Sequence, residues 1–104
     1  MMEQEGRPVA TPANLKMIDL PEVARLLLRM GASKVFVFGS AARGSLRDSS
    51  DLDIAVAGLP ASVYFSAVSK ASDLVGRAVD LVDLDDESPI VRHLLQSGEL
   101  VRVG

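Results

Sequence analysis

Asp51 and Asp53 stand two positions apart in the segment Ser50-Asp51-Leu52-Asp53-Ile54-Ala55-Val56. Read as a strand, this segment turns both carboxylates to one face and Leu52, Ile54 and Val56 to the other. Adjacent carboxylates repel, and a divalent cation between them removes the repulsion. Asp80 is a third acid of interest. It interrupts the apolar run Val79-Asp80-Leu81-Val82, where an unpaired carboxylate is costly to bury. If the two strands are neighbours, three carboxylates share one surface. That surface suits one or two Mg²⁺ ions, hard cations that take oxygen ligands and keep several waters. Such ions bridge a triphosphate, align it for in-line attack and stabilise charge on the attacking and leaving oxygens. In that chemistry Asp51 and Asp53 hold the metals, and Asp80 completes the second site and can assist deprotonation of an acceptor hydroxyl. Upstream, the apolar run ending at Phe38 breaks at Gly39-Ser40, and backbone amides at such a break make a seat for phosphates.

Each of these features also has a plainer reading. An Asp-x-Asp pair is common on solvated strand edges, and Asp83, Asp85 and Asp86 show that acids accumulate in this region. Gly39-Ser40 can be a simple strand exit. Arg43 can pair with Asp48 or Asp51 on the surface, a contact typically under about 1 kcal/mol. His93 has no second His or Cys near it in sequence and reads as a surface residue, and Met17 and Met30 read as core or leader residues.

The elements that must position these residues are legible from periodicity. Asp19 three residues before Glu22 resembles a capping box, after which Leu20, Val23, Ala24, Leu27 and Leu28 recur at helical spacing up to Gly31. Val35-Phe36-Val37-Phe38 is β-branched or aromatic throughout and reads as a central strand covered on both sides. Ser40 to Gly44 reads as one short helical turn whose first amides point at whatever lies above Gly39. A polar loop follows over Ser45 to Ser50, then a strand over Leu52 to Val56 with Gly58 and Pro60 at its exit. Tyr64, Ala67, Val68, Ala71 and Val75 form a second helical stripe closed by Gly76, and Ala78 to Leu84 forms a third strand. Ser88-Pro89 is an N-cap followed by proline in the first turn of a helix, with Ile90, Val91, Leu94 and Leu95 as its buried face and Gly98 as its stop. Leu100 to Val103 closes the chain as an edge strand. Strands alternating with helices predict an α/β fold with a mixed β-sheet and helices packed on it. Residues 1–14, with Gly6, Pro8 and Pro12 among polar residues, read as a flexible leader, and residues 15–104 as a single domain.

Composition narrows the function classes. A chain of 104 residues with 48% hydrophobic content matches one globular domain. A net charge of −3 argues against broad nucleic-acid binding, which depends on Lys and Arg neutralising phosphates, and one Tyr, three Phe and no Trp offer little for base stacking. No apolar run approaches the roughly 18 residues of a spanning helix, the N-terminus lacks the pattern of a signal peptide, and cysteine is absent. No membrane association is expected, and the expected location is cytoplasmic.

Taken with its spacing, the central segment is more specific. Gly39-Ser40-x-x-Arg43-Gly44, five residues, then Ser50-Asp51-x-Asp53 closely resembles the signature of the DNA polymerase beta-type nucleotidyltransferase superfamily, and the Asp80 strand matches the position of its third carboxylate. The resemblance covers nearly everything from Leu20 to Val103, and the shortness of the chain is similar to the minimal nucleotidyltransferase (MNT) group. It implies a polymerase beta palm-like nucleotidyltransferase fold and transfer of a nucleoside monophosphate from Mg-ATP to a hydroxyl, with release of pyrophosphate. By that analogy Gly39 and Ser40 contact the triphosphate, Arg43 contacts phosphate or supports the loop, and Asp51, Asp53 and Asp80 ligate two Mg²⁺ ions. Larger relatives append a domain for the acceptor, and the chain is expected to lack one. In the MNT group a separate HEPN-domain toxin takes that place, and the MNT antitoxin transfers AMP onto its tyrosine. The alternatives are an antitoxin that neutralises by binding alone and a small-molecule adenylyltransferase. An exposed terminal strand and a small core leave room for a homo- or hetero-oligomer.

Overall fold

The structure is a computed structural model and describes residues 20–44 and 50–104. The leader at 1–14, the Asp19 cap and most of the Ser45–Ser50 loop lie outside the described residues. Among the described residues four helices and four strands alternate: α1 (Leu20–Arg29), β1 (Lys34–Val37), α2 (Gly39–Ala42), β2 (Leu52–Ala57), α3 (Tyr64–Val75), β3 (Val79–Asp83), α4 (Pro89–Ser97) and β4 (Val101–Arg102). A short 3₁₀ turn over Ala61–Val63, unannounced by the sequence pattern, leads into α3.

The strands form one mixed sheet in the order β3-β2-β1-β4. β1 runs antiparallel to both β2 and β4, whereas β2 and β3 are parallel. The parallel pair is joined by a crossover through α3, as parallel strands require. Register sorts the side chains. Val35 pairs with Val56, Val37 with Ile54, and Ile54 with Leu81, so these residues share one face. That face is buried against Val23, Ala24 and Leu27 of α1 and Ala67, Ala71 and Val75 of α3. The small residues of α3 let its backbone lie close to the sheet, and the two helices pack on each other as one layer.

The opposite face carries Asp53 and Asp80, Ala55 and Val82, and Phe36. Here the structure corrects two expectations. Phe36 is only half-buried, with the Arg102 guanidinium 5.9 Å from its ring centroid, so β1 is sealed on one side and partly open on the other. In α4, Val91 and Leu94 are buried but Ile90 and Leu95 are 54% and 59% exposed. A helix of nine residues offers a narrow buried stripe, and these two apolar side chains fall outside it. The Ser88 hydroxyl accepts from the Val91 amide as the N-cap predicts, and Gly76 and Gly98 close α3 and α4 in the left-handed conformation. Gly31 follows α1 with φ of +122°, farther round than the predicted left-handed cap.

Candidate active site

β2 sets the frame of the site. Leu52, Ile54 and Val56 anchor one face in the core at 1% exposure or less, so strand alternation must turn Asp53 the other way. β3 then lies alongside with Asp53 directly opposite Asp80. Asp51 precedes the first strand residue and is exposed. Asp80 is exposed as well, which corrects the premise that its carboxylate is costly because it is buried. β3 is an edge strand and Asp80 sits on its open face, where water solvates the charge.

Asp53 is the half-buried member of the group. Burial, then the charge of Asp80, then that of Asp51 hold its carboxyl above the ordinary 3.8, while the nearby Arg43 guanidinium pulls it down. Four of the residues singled out by spacing therefore act on one another in space. Gly39 joins them by contact. Its φ is +63°, and a Cβ built there would lie 2.3 Å from Oδ2 of Asp53. The missing side chain lets the α2 backbone lie directly against the carboxylate. The strand preceding it is tied in too, because the Phe38 amide donates to the Asp53 carbonyl at 3.1 Å. Phe38, the N-cap of α2, has no side-chain acceptor to offer the first amides of this turn. Arg43 ends α2 exposed, with its amide bonded to the Gly39 carbonyl at 3.2 Å.

Among the described residues, no three carboxylate or imidazole side chains converge on one point as a metal site. The donor set nevertheless fits a hard divalent cation. It is all oxygen, Asp53 and Asp80 face each other across two hydrogen-bonded strands, and Asp53 carries like-charge repulsion that a cation would relieve. His93 is exposed on α4, as its isolation in sequence suggests.

Two residues of the site region escape the sequence reading. Tyr64, taken there only as part of a helical stripe, stands at the start of α3 and donates its hydroxyl to the Leu81 carbonyl of β3. Burial and the charges of Asp80 and Asp83 raise the pKa of this phenol, which places it near the acidic face. It also lines an open cleft of about 560 Å³ shared with Val82, Asp83, Ile90 and Val91. Arg77 lies between α3 and β3, is only 9% exposed, and donates from Nη1 to the Ser50 carbonyl at 2.8 Å. Nothing in local spacing signals that contact, which joins positions 27 residues apart.

Comparison with known proteins bears out the fold. Residues 27–102 match the family described as Polymerase beta, Nucleotidyltransferase. A solved structure assigned to the minimal nucleotidyltransferases is 29% identical, with a TM-score of 0.70 over 91% of this chain and 98% of that one. A toxin–antitoxin crystal structure with AMP-PNP is 23% identical, with a TM-score of 0.71 over 83% of this chain and 73% of that one. A complex of a tri-AMPylated Shewanella oneidensis HEPN toxin with its MNT antitoxin is 20% identical, with a TM-score of 0.65 over 86% and 71%. At such identities the last two speak to the fold. The chain has no significant match among curated proteins.

Proposed function

The chain belongs to the polymerase beta nucleotidyltransferase family, and from that premise we propose that it transfers AMP from Mg-ATP to a hydroxyl of a partner protein. The partner is a HEPN-domain toxin, the acceptor is a tyrosine, and the chain acts as the antitoxin. The observation that carries the reading is the pairing of Asp53 with Asp80 across β2 and β3, with Gly39 packed on the Asp53 carboxylate. The toxin–antitoxin structures with AMP-PNP and with an AMPylated toxin support the donor and acceptor.

Asp51, Asp53 and Asp80 would hold Mg²⁺, which when bound neutralises triphosphate charge and polarises the phosphoryl centre. The chain's own groups do the rest. Gly39 and Ser40, at the start of α2, would contact the phosphates, and Arg43, at its other end, adds positive charge near Asp53. The acceptor oxygen attacks the α-phosphorus and the bond to the β-phosphate oxygen breaks. Pyrophosphate leaves with the electron pair, and Asp80, exposed on the strand edge, takes the hydroxyl proton.

The test is to purify the chain with the HEPN-domain protein encoded beside it, add Mg-ATP and measure the partner's intact mass. Addition of AMP is expected with the native chain and none with Asp51→Asn/Asp53→Asn. An unmodified partner in a complex shown to form overturns the proposal. A second reading is neutralisation by binding alone. It prevails if the double Asn variant, at equal abundance, neutralises the toxin fully.

A further inference from the structure

Asp51 lies outside the regular ladder of β2, yet the residues on either side of it are both held by one dipeptide. The Ser50 carbonyl accepts from Arg77 Nη1 at 2.8 Å, and the Leu52 amide donates to the Ala78 carbonyl at 2.9 Å. We infer that Arg77 is a positioning residue for Asp51: its buried side chain and the adjacent Ala78 carbonyl form a clamp that fixes the backbone on both sides of the metal-binding carboxylate. This rests on the reading of Asp51 as a metal ligand given above.

The physical argument begins with cost. Burying a guanidinium is expensive unless its donors are satisfied. Arg77 is only 9% exposed, and its Nη1 reaches back to the chain just before Asp51. Arginine suits that task because several of its donors are fixed in one plane, so a carbonyl held by it is held in direction as well as distance. The Ala78 half of the clamp comes from the residue just before β3, the strand that carries Asp80. The same short segment thus sets the position of Asp51 and the register that brings Asp80 opposite Asp53.

A purely structural role is the alternative, since Arg77 also follows the end of α3, where its carbonyl accepts from the Ser72 hydroxyl at 2.7 Å. Ser72→Ala supplies the control, because it removes that bond without touching Ser50. The experiment measures Mn²⁺ affinity of the full chain by electron paramagnetic resonance, each variant held equally far below its own melting temperature. Arg77→Met should bind Mn²⁺ about 10-fold to 100-fold more weakly, the range for residues that orient a metal ligand. Arg77→Lys, which keeps a donor for the carbonyl, should recover part of that loss, and Ser72→Ala should bind as the native chain does. Native affinity in folded Arg77→Met, or an equal loss in Ser72→Ala, overturns the inference. Should Arg77→Met fail to fold, Arg77→Lys decides: weaker binding than native supports the clamp, and native binding overturns it. Amide exchange at Leu52 gives a readout independent of metal. It should quicken in Arg77→Met or Arg77→Lys and stay unchanged in Ser72→Ala. A native chain that binds no Mn²⁺ counts against the metal reading, whereas unaltered Leu52 exchange in the Arg77 variants counts against the clamp.

Discussion

Gly39→Ala tests how the site is built, because the added methyl group meets two separate costs. At a φ of +63° an alanine is in the left-handed region, which costs about 1–2 kcal/mol. Its Cβ would also stand 2.3 Å from Oδ2 of Asp53, 3.3 Å from Cγ and 3.6 Å from Cβ. The clash falls on the end of the side chain, so the backbone can stay while the carboxylate is forced off its rotamer, at about 0.5–1.5 kcal/mol. The loss should come to about 1.5–3.5 kcal/mol, a fall of at least about 6 °C in Tm for a domain of this size. A double-mutant cycle with Asp53→Ala, followed by urea unfolding, separates the two terms. Once Asp53 ends at its Cβ, the 3.6 Å contact is ordinary and only the backbone cost remains. Gly39→Ala should therefore be milder in that background by about 0.5–1.5 kcal/mol. Mg-ATP binding should fail in Gly39→Ala alone even where the chain is fully folded, because the displaced carboxylate is the one the site is centred on. Additive effects in the cycle, or a total loss under about 0.5 kcal/mol, would refute the packing of Gly39 on Asp53.

The other predictions are simpler. The raised Asp53 pKa makes the folded chain hold this proton more tightly than the unfolded one, so stability falls as pH climbs from 3.8 through the raised folded value. Asp53→Asn should therefore stabilise the metal-free chain at neutral pH by about 1 kcal/mol or less, and the gain should vanish below pH 3.8 in melting curves taken across that range. Ile54→Ala, on the reverse face of the same strand and fully buried, should cost about 2–5 kcal/mol in urea unfolding. Tyr64→Phe removes the hydrogen bond to the Leu81 carbonyl and should cost about 0.5–1.5 kcal/mol by the same assay.

What the sequence by itself determined is what depends on neighbours a few residues away. Period-two alternation sets Asp53 against Leu52 and Ile54, and period 3.6 marks α1 and α3, because both patterns follow from backbone geometry alone. The breaks at Gly39, Gly76 and Gly98 are legible for the same reason, since each sits at a positive φ that other residues resist. The pattern of Gly39, Arg43, Asp51 and Asp53 pointed to the family through its resemblance to the superfamily signature. Tertiary structure decided the rest. No local rule says that β3 pairs with β2, nor that Asp80 falls opposite Asp53, because strand order and register are settled by which apolar faces pack together. The exposure of Asp80, Ile90 and Leu95 likewise depends on what the fold packs beside them, which no local pattern encodes. Arg77 is the clearest case. Its side chain meets Ser50 only after α3 has carried the chain back across the sheet, a contact that exists only in the folded molecule.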